Sequence, residues 1–329
     1  MKFPLLRYDL ICLILFYSGI VLTNPKEIQS ADSPDVQNDQ LEHSDAQKIK
    51  IIKNVSYADT DNPRQQVDLF LPNTRMSDDP LPVIAFIHGG GWRKGSRRSG
   101  LQFLAPLVST GKYLGVSIGY RLTDEATWPA QIYDCKAAIR WLRANAKTYH
   151  ADPTKIIAVE TSAGGHLVAM LGTSGDVLAL EGQVGSSFNS SSRVTGVIDF
   201  FGPANLTNMG GSHNNPDSPE SLLLGGPVPN LPEIAAAASP ITYVSKDDPP
   251  FLMIHGSDDK LVPFDQSVQL HKSLQDVGVS ARLIKIEGGG HGRLQSTELD
   301  SRIRLFLENQ FHDSDHEIST QSISGHPSS

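Results

Sequence analysis

Between about Lys48 and Phe311, short apolar runs alternate with stretches in which apolar residues recur every three or four positions. Runs of four to six apolar residues bounded by turn formers predict buried strands, and recurrence at three and four predicts amphipathic helices. By that reading, strands lie from Pro82 to Ile87, Leu114 to Ile118, Ile156 to Val159, Val197 to Phe201, Phe251 to Ile254 and Leu283 to Ile286. Val67 to Leu71 alternates, which suits an edge strand. The clearest helix starts near Pro129, with Ile132, Cys135, Ile139 and Leu142 on one side and Lys136, Arg140 and Arg143 on the other. A second includes Gln269, Leu270, Leu274 and Val277, and a last one Ile303, Leu305, Phe306 and Leu307. Alternating strands and helices predict an α/β domain with a mostly parallel sheet covered on both faces. Asn205 to Pro240 breaks the alternation with Gly, Pro, Ser and Asn, the composition of a small lid-like insertion.

Both ends depart from this pattern. Lys2 and Arg7 precede an apolar stretch from Leu10 to Leu22, so residues 1–23 read as a signal peptide or N-terminal anchor of an exported protein. Residues 24–47 are polar with almost no large apolar side chain and read as a disordered linker. Residues 48–311 then form the folded domain, and 312–329 read as a disordered tail. After loss of residues 1–23, Cys135 is the only cysteine, which excludes an intramolecular disulfide.

Composition narrows the function. Charged residues make up 19% of the 329, the formal net charge is −8, and no long run of Lys or Arg occurs. That leaves no basic footprint for nucleic acid, so no nucleic-acid partner is expected. The histidine spacing makes no zinc site, and the reading includes neither metal nor cofactor.

The candidate chemistry sits where strands end. Ser162 stands between the strand ending at Val159 and a helix containing Leu167, Val168, Met170 and Leu171, in the sequence Glu160-Thr161-Ser162-Ala163-Gly164-Gly165-His166. A serine on a sharp strand-to-helix turn is presented as a nucleophile. An isolated Ser-Ala-Gly-Gly also suits an N-cap, and the partners decide against that role. His88-Gly89-Gly90-Gly91-Trp92 follows another strand, and its amides, chiefly those of Gly90 and Gly91, can join that of Ala163 in an oxyanion hole. Downstream, His255-Gly256-Ser257-Asp258-Asp259 supplies a carboxylate at a strand end, and Gly288-Gly289-Gly290-His291-Gly292 supplies a base on a glycine loop. The order Ser, Asp, His is that of the α/β-hydrolase template. Spacing leaves both Asp258 and Asp259 open as the orienting carboxylate, with Asp259 favoured because Asp258 suits an Asx turn. His166 and His255 read as hydrogen-bonded structural residues. One position breaks the pattern: the elbow expects a small residue two before the serine, and Glu160 stands there. Glu160 must turn toward solvent or the pocket, or strain the turn.

HGGGW, Tyr120-Arg121-Leu122, Trp128-Pro129-Ala130-Gln131 with Asp134, SAGGH, HGSDDKLVP and GGGHG together resemble the bacterial esterase/lipase group related to hormone-sensitive lipase, in particular its feruloyl and acetyl-xylan esterase branches. The resemblance spans about Ile51 to Phe311. It implies the α/β-hydrolase fold, cofactor-free hydrolysis of carboxylic esters through an acyl-enzyme, and Asp259 as the carboxylate. A small ester or an acylated carbohydrate is then the expected substrate, with Trp92 expected to contact it. Glu160, where that group has glycine, keeps a catalytically silent binding protein as the alternative, and a peptidase related to prolyl oligopeptidases is a third reading.

Overall fold

The computed structural model describes residues 45, 47–292, 296–312 and 314–325, all within one compact unit of residues 40–329. The apolar run Leu10 to Leu22, and all but the last few residues of the expected linker, lie outside the described residues.

Nine strands form one sheet in the order β1-β2-β4-β3-β5-β6-β7-β8-β9. They are β1 Ile49–Ser56, β2 Gln66–Pro72, β3 Leu81–Ile87, β4 Leu114–Ile118, β5 Ala151–Thr161, β6 Gly196–Phe200, β7 Phe251–Gly256, β8 Ala281–Glu287 and β9 Ile323–Ser324. The β1–β2 and β2–β4 pairings are antiparallel and the others parallel. Every residue of β3 is buried, because successive side chains enter opposite layers. Val83, Ala85 and Ile87 join the core with the helices Ala130–Ala144 and Ala163–Thr173, while Ile84 and Phe86 join the core with Gly100–Val108 and Thr297–His312. Full burial of such side chains contributes about 1.5–3 kcal/mol each. The parallel strands β3, β5, β7 and β8 all end on one edge of the sheet, so the segments that follow Ile87, Thr161, Gly256 and Glu287 gather there.

Four expectations change. β2 is internal rather than an edge strand, since β1 covers it; its buried Asp68 accepts from Arg97 Nε at 2.9 Å and from the Asn54 amide at 2.8 Å. Lys136 and Arg140 do not face solvent. Both are buried and paired with Glu181, at 2.8 Å from Lys136 and 2.6 Å from Arg140. Residues 314–325 are not a free tail: Ile318 and Ile323 are buried, Ile323 pairs with Ile286 of β8, and Arg302 donates to the Gln321 carbonyl at 2.6 Å. Apolar anchors hold a segment whose composition is otherwise polar, together with Asn309, which bonds both the amide and the carbonyl of His316, and the Gly325 amide, which donates to the Glu287 carbonyl. The insertion has more order than its composition suggests, with the short helices Pro219–Leu224 and Pro232–Ala237, and it meets the domain where the Leu223 carbonyl accepts from the Trp128 amide at 2.8 Å.

Candidate active site

Ser162 has φ +55° and ψ −125°, a backbone conformation that side-chain-bearing residues rarely hold and that clusters at functional turns. The turn is fixed on both sides, with the Ser162 amide donating to the Phe200 carbonyl at 2.9 Å and the Ser162 carbonyl accepting from the His166 amide at 3.0 Å. The side chain makes no capping bond to the helix that follows, so the N-cap role fails. Instead Ser162 Oγ lies 3.0 Å from His291 Nε2, and His291 Nδ1 lies 2.7 Å from Asp259 Oδ2.

Geometry selects between the two aspartates. Asp259 is 7% exposed, and its Oδ1 accepts from the Leu261 and Val262 amides at 2.8 and 2.9 Å. Burial alone would raise its pKa, but hydrogen bonds from His255, His291 and the Val262 amide hold it well below the usual carboxylate range. Asp258 is occupied elsewhere, accepting from Ser257 Oγ at 3.1 Å.

His255 is a partner of this site that the sequence reading left in a structural role. It is fully buried, with Nε2 3.0 Å from the Val262 carbonyl and 3.3 Å from Asp259 Oδ2. A carbonyl only accepts, so Nε2 carries the proton and Nδ1 accepts from Ser267 Oγ at 2.7 Å. Asp259 is thereby held between two imidazoles. The signal was the spacing of four between His255 and Asp259, but strand periodicity does not show that the chain turns back between them.

The glycine loop is held from below. Tyr120 stacks on His88 at 4.3 Å between ring centroids and donates its hydroxyl to the His88 carbonyl at 2.8 Å. Gly90 has φ +112°, and a Cβ there would collide with the Lys94 carbonyl, so only glycine fits. The Gly89 amide is already taken by Glu160 Oε1 at 3.1 Å. The Gly90, Gly91 and Ala163 amides make no hydrogen bond among the described residues, which leaves three donors uncommitted.

Of the expected alternatives Glu160 takes the pocket: with Thr161, Phe200, Phe201 and Gly292 it lines a cavity beside the site. It continues β5 in register with Asp199 of β6 and is 7% exposed. Its Cγ occupies the space where Gly164 lacks a side chain. Burial pushes its carboxyl up to about 8, against the hydrogen bonds from Thr161 and the Gly89 amide.

Trp92, expected to contact substrate, is buried against the helix after Ser162. It is 1% exposed, and its indole Nε1 donates to His166 Nδ1 at 3.2 Å. His166 Nε2 then bonds the Ala238 carbonyl of the insertion at 2.7 Å. Trp92 is therefore a tie between the glycine loop, the helix after Ser162 and the insertion. Facing His291 is Phe201, at 4.6 Å between ring centroids, which with Phe103, Leu107, Phe200, Thr161 and Gly292 lines a cavity of about 260 Å³. Arg121 and Asp134 support the site at a distance through two hydrogen bonds of 2.9 and 2.8 Å. Among the described residues, no cluster of His, Cys, Asp and Glu could hold a metal ion.

The family model BD-FAE matches residues 67–274, which include the glycine loop, Ser162 and Asp259. The chain belongs to the BD-FAE family. Esterase LipC of Mycobacterium tuberculosis is 32% identical to this BD-FAE member over 236 residues, 70% of this chain and 58% of that protein. The chain spans about half the length of the curated relatives it matches. Among solved structures, a truncated form of a carbohydrate esterase from gut microbiota is 33% identical, with a TM-score of 0.74, over 79% of this chain and 96% of that one. A bifunctional GH43-CE protein of Bacteroides eggerthii is 34% identical, with a TM-score of 0.72, over 79% of this chain and 38% of that one. The sheet and these likenesses place the BD-FAE member in the esterase group of the α/β-hydrolase fold.

Proposed function

We propose that this protein is a serine carboxylic ester hydrolase working through Ser162, His291 and Asp259. The observation that carries the reading is the unbroken hydrogen-bond line from Ser162 Oγ through His291 to Asp259, set on a left-handed elbow serine. Ser162 Oγ attacks the ester carbonyl while His291 Nε2 takes its proton, and Asp259 stabilises the imidazolium. The Gly90, Gly91 and Ala163 amides receive the charge on the tetrahedral oxygen. His291 then protonates the departing alcohol, leaving an acyl-Ser162. Water, deprotonated by His291, attacks that acyl group, and His291 returns the proton to Ser162 Oγ as the acyl–oxygen bond breaks and the carboxylic acid leaves.

The likeness to a carbohydrate esterase supports an acetyl or feruloyl group on a polysaccharide as substrate, and the cavity lined by Phe103, Phe200 and Phe201, with Glu160, Asp300 and Arg304 at its polar side, has room for a small acyl or aryl group. Export through residues 1–23 fits such a substrate and belongs to the same proposal. Against the silent-hydrolase reading stands the 3.0 Å contact of Ser162 Oγ with His291 Nε2, which coexists with Glu160 in the elbow. A serine-directed fluorophosphonate is expected to label the native protein once, on the Ser162 peptide, by mass spectrometry. An unlabelled Ser162 in folded protein would restore the silent reading.

A further inference from the structure

The elbow departs from its expected pattern at a residue that touches the oxyanion loop. Of the three consecutive glycine amides after His88, the first is spent on Glu160 Oε1, at 3.1 Å. That bond crosses from β5 to the loop after β3, and the same oxygen accepts from Thr161 Oγ1 at 3.1 Å, next to Ser162. Below, the Glu160 Cγ fills the space over Gly164, so the side chain is wedged between the loop and the first turn of the helix after Ser162. We propose that Glu160 is a positioning residue of the oxyanion hole, whose carboxyl fixes the glycine loop against the elbow through the Gly89 amide. The inference rests on the ester-hydrolase reading above and goes beyond it, because a glycine at that position makes no such bond.

The charge state matters because of what lies nearby. The Gly89 amide that Glu160 holds is next in sequence to the Gly90 amide assigned above to the oxyanion hole. A negative carboxylate there opposes the negative charge that develops on the reacting oxygen, in a buried setting where such repulsion is weakly screened. Asp300 and Arg304, on the helix Thr297–His312, line the same cavity as Glu160, one charge of each sign. Tyr120, from the loop after β4, is kept neutral by burial, which raises its pKa, and His88 by burial that lowers its pKa to about 4. His166, on the helix above, is likewise lowered to about 4 by burial, and Asp199, beside Glu160 on β6, is raised to about 6. Burial pushes Glu160 up to about 8, which puts its ionisation within the range the pH profile covers.

The test is the pH profile of kcat and KM for p-nitrophenyl acetate with native protein, Glu160→Gln and Glu160→Ala, each checked for folding by thermal melting. Gln keeps an acceptor oxygen and never ionises. The native enzyme is expected to lose activity in a one-proton step near pH 8, and Glu160→Gln to keep kcat within about threefold at pH 7 without that step. Glu160→Ala is expected to lose about tenfold to a hundredfold in kcat with KM nearly unchanged, since the loop then lacks its anchor. An alkaline step that persists in Glu160→Gln, or a Glu160→Ala enzyme with native kcat, overturns the inference; should Glu160→Ala not fold, the Gln profile alone decides. A native protein with no turnover and no phosphonate label fails at the ester-hydrolase reading itself and takes the inference with it. Native turnover with indifferent Glu160 variants refutes the inference alone.

Discussion

Glu160 and Asp259 are equally buried, each 7% exposed, and each lies close to the elbow serine, yet burial pushes one carboxyl up to about 8 while the other is held well below the usual range. The difference lies in the donors. Asp259 faces two imidazoles and two amides, and the imidazole it orients gains a positive charge during reaction. Glu160 meets one amide and the adjoining Thr161, with no group that becomes a cation. Burial alone therefore says little about a carboxyl's role; the groups aimed at it decide whether it serves as an anion or as a neutral brace.

The widest separation between the two should come from removing each charge. Asp259→Asn is expected to lower kcat by about 10³- to 10⁴-fold with little change in KM, because His291 then sits in the wrong tautomer and its cation is unsupported. A loss under tenfold would make Asp259 structural. Glu160→Gln should act on stability in the opposite sense from a salt-bridged acid. The folded-state pKa of Glu160 lies above its unfolded value, so the stability of its neutral form is complete below about 4.5 and is lost as pH rises through about 8. Chemical denaturation at pH 9 should find Glu160→Gln more stable than native by an amount on the order of a few kcal/mol, with little difference at pH 4. For Asp259 the sign reverses, and its contribution is present above the ordinary carboxylate range and lost as pH falls through it.

Smaller effects test the supports. His255→Phe removes one hydrogen bond to Asp259 and is expected to lower kcat by about tenfold, as one charge-assisted bond of about 1.5–3 kcal/mol allows after relaxation. Trp92→Phe leaves His166 Nδ1 unpaired and should cost about 1–3 kcal/mol of stability while changing KM little, since the indole is buried away from substrate. A large rise in KM would return Trp92 to the substrate pocket.

The comparison also marks how far the sequence could be read. The strands that position the site were legible because they are buried on both faces and read as continuous apolar runs, as in Leu114–Ile118 and Phe251–Gly256. β1 was not, because Lys50, Lys53 and Asn54 interrupt a half-exposed strand, and β9 has only two residues. Lys136 and Arg140 looked solvent-facing because their partner, Glu181, is more than forty residues away. Ser162, His291 and Asp259 were found from motif order, since each follows a strand on the same edge. The roles of Trp92 and Glu160 were not, because they depend on where His166 and Gly89 fall in space, which spacing along the chain does not encode.

The central claim is that Ser162 is the nucleophile of a working esterase, and the most direct measurement is initial-rate hydrolysis of p-nitrophenyl acetate by purified native protein and by Ser162→Ala at pH 7. The expected result is clear turnover by the native chain and a loss of about 10⁴-fold or more in the variant, leaving only what binding and the amide donors supply. Equal rates, or a native protein no faster than buffer, would contradict it.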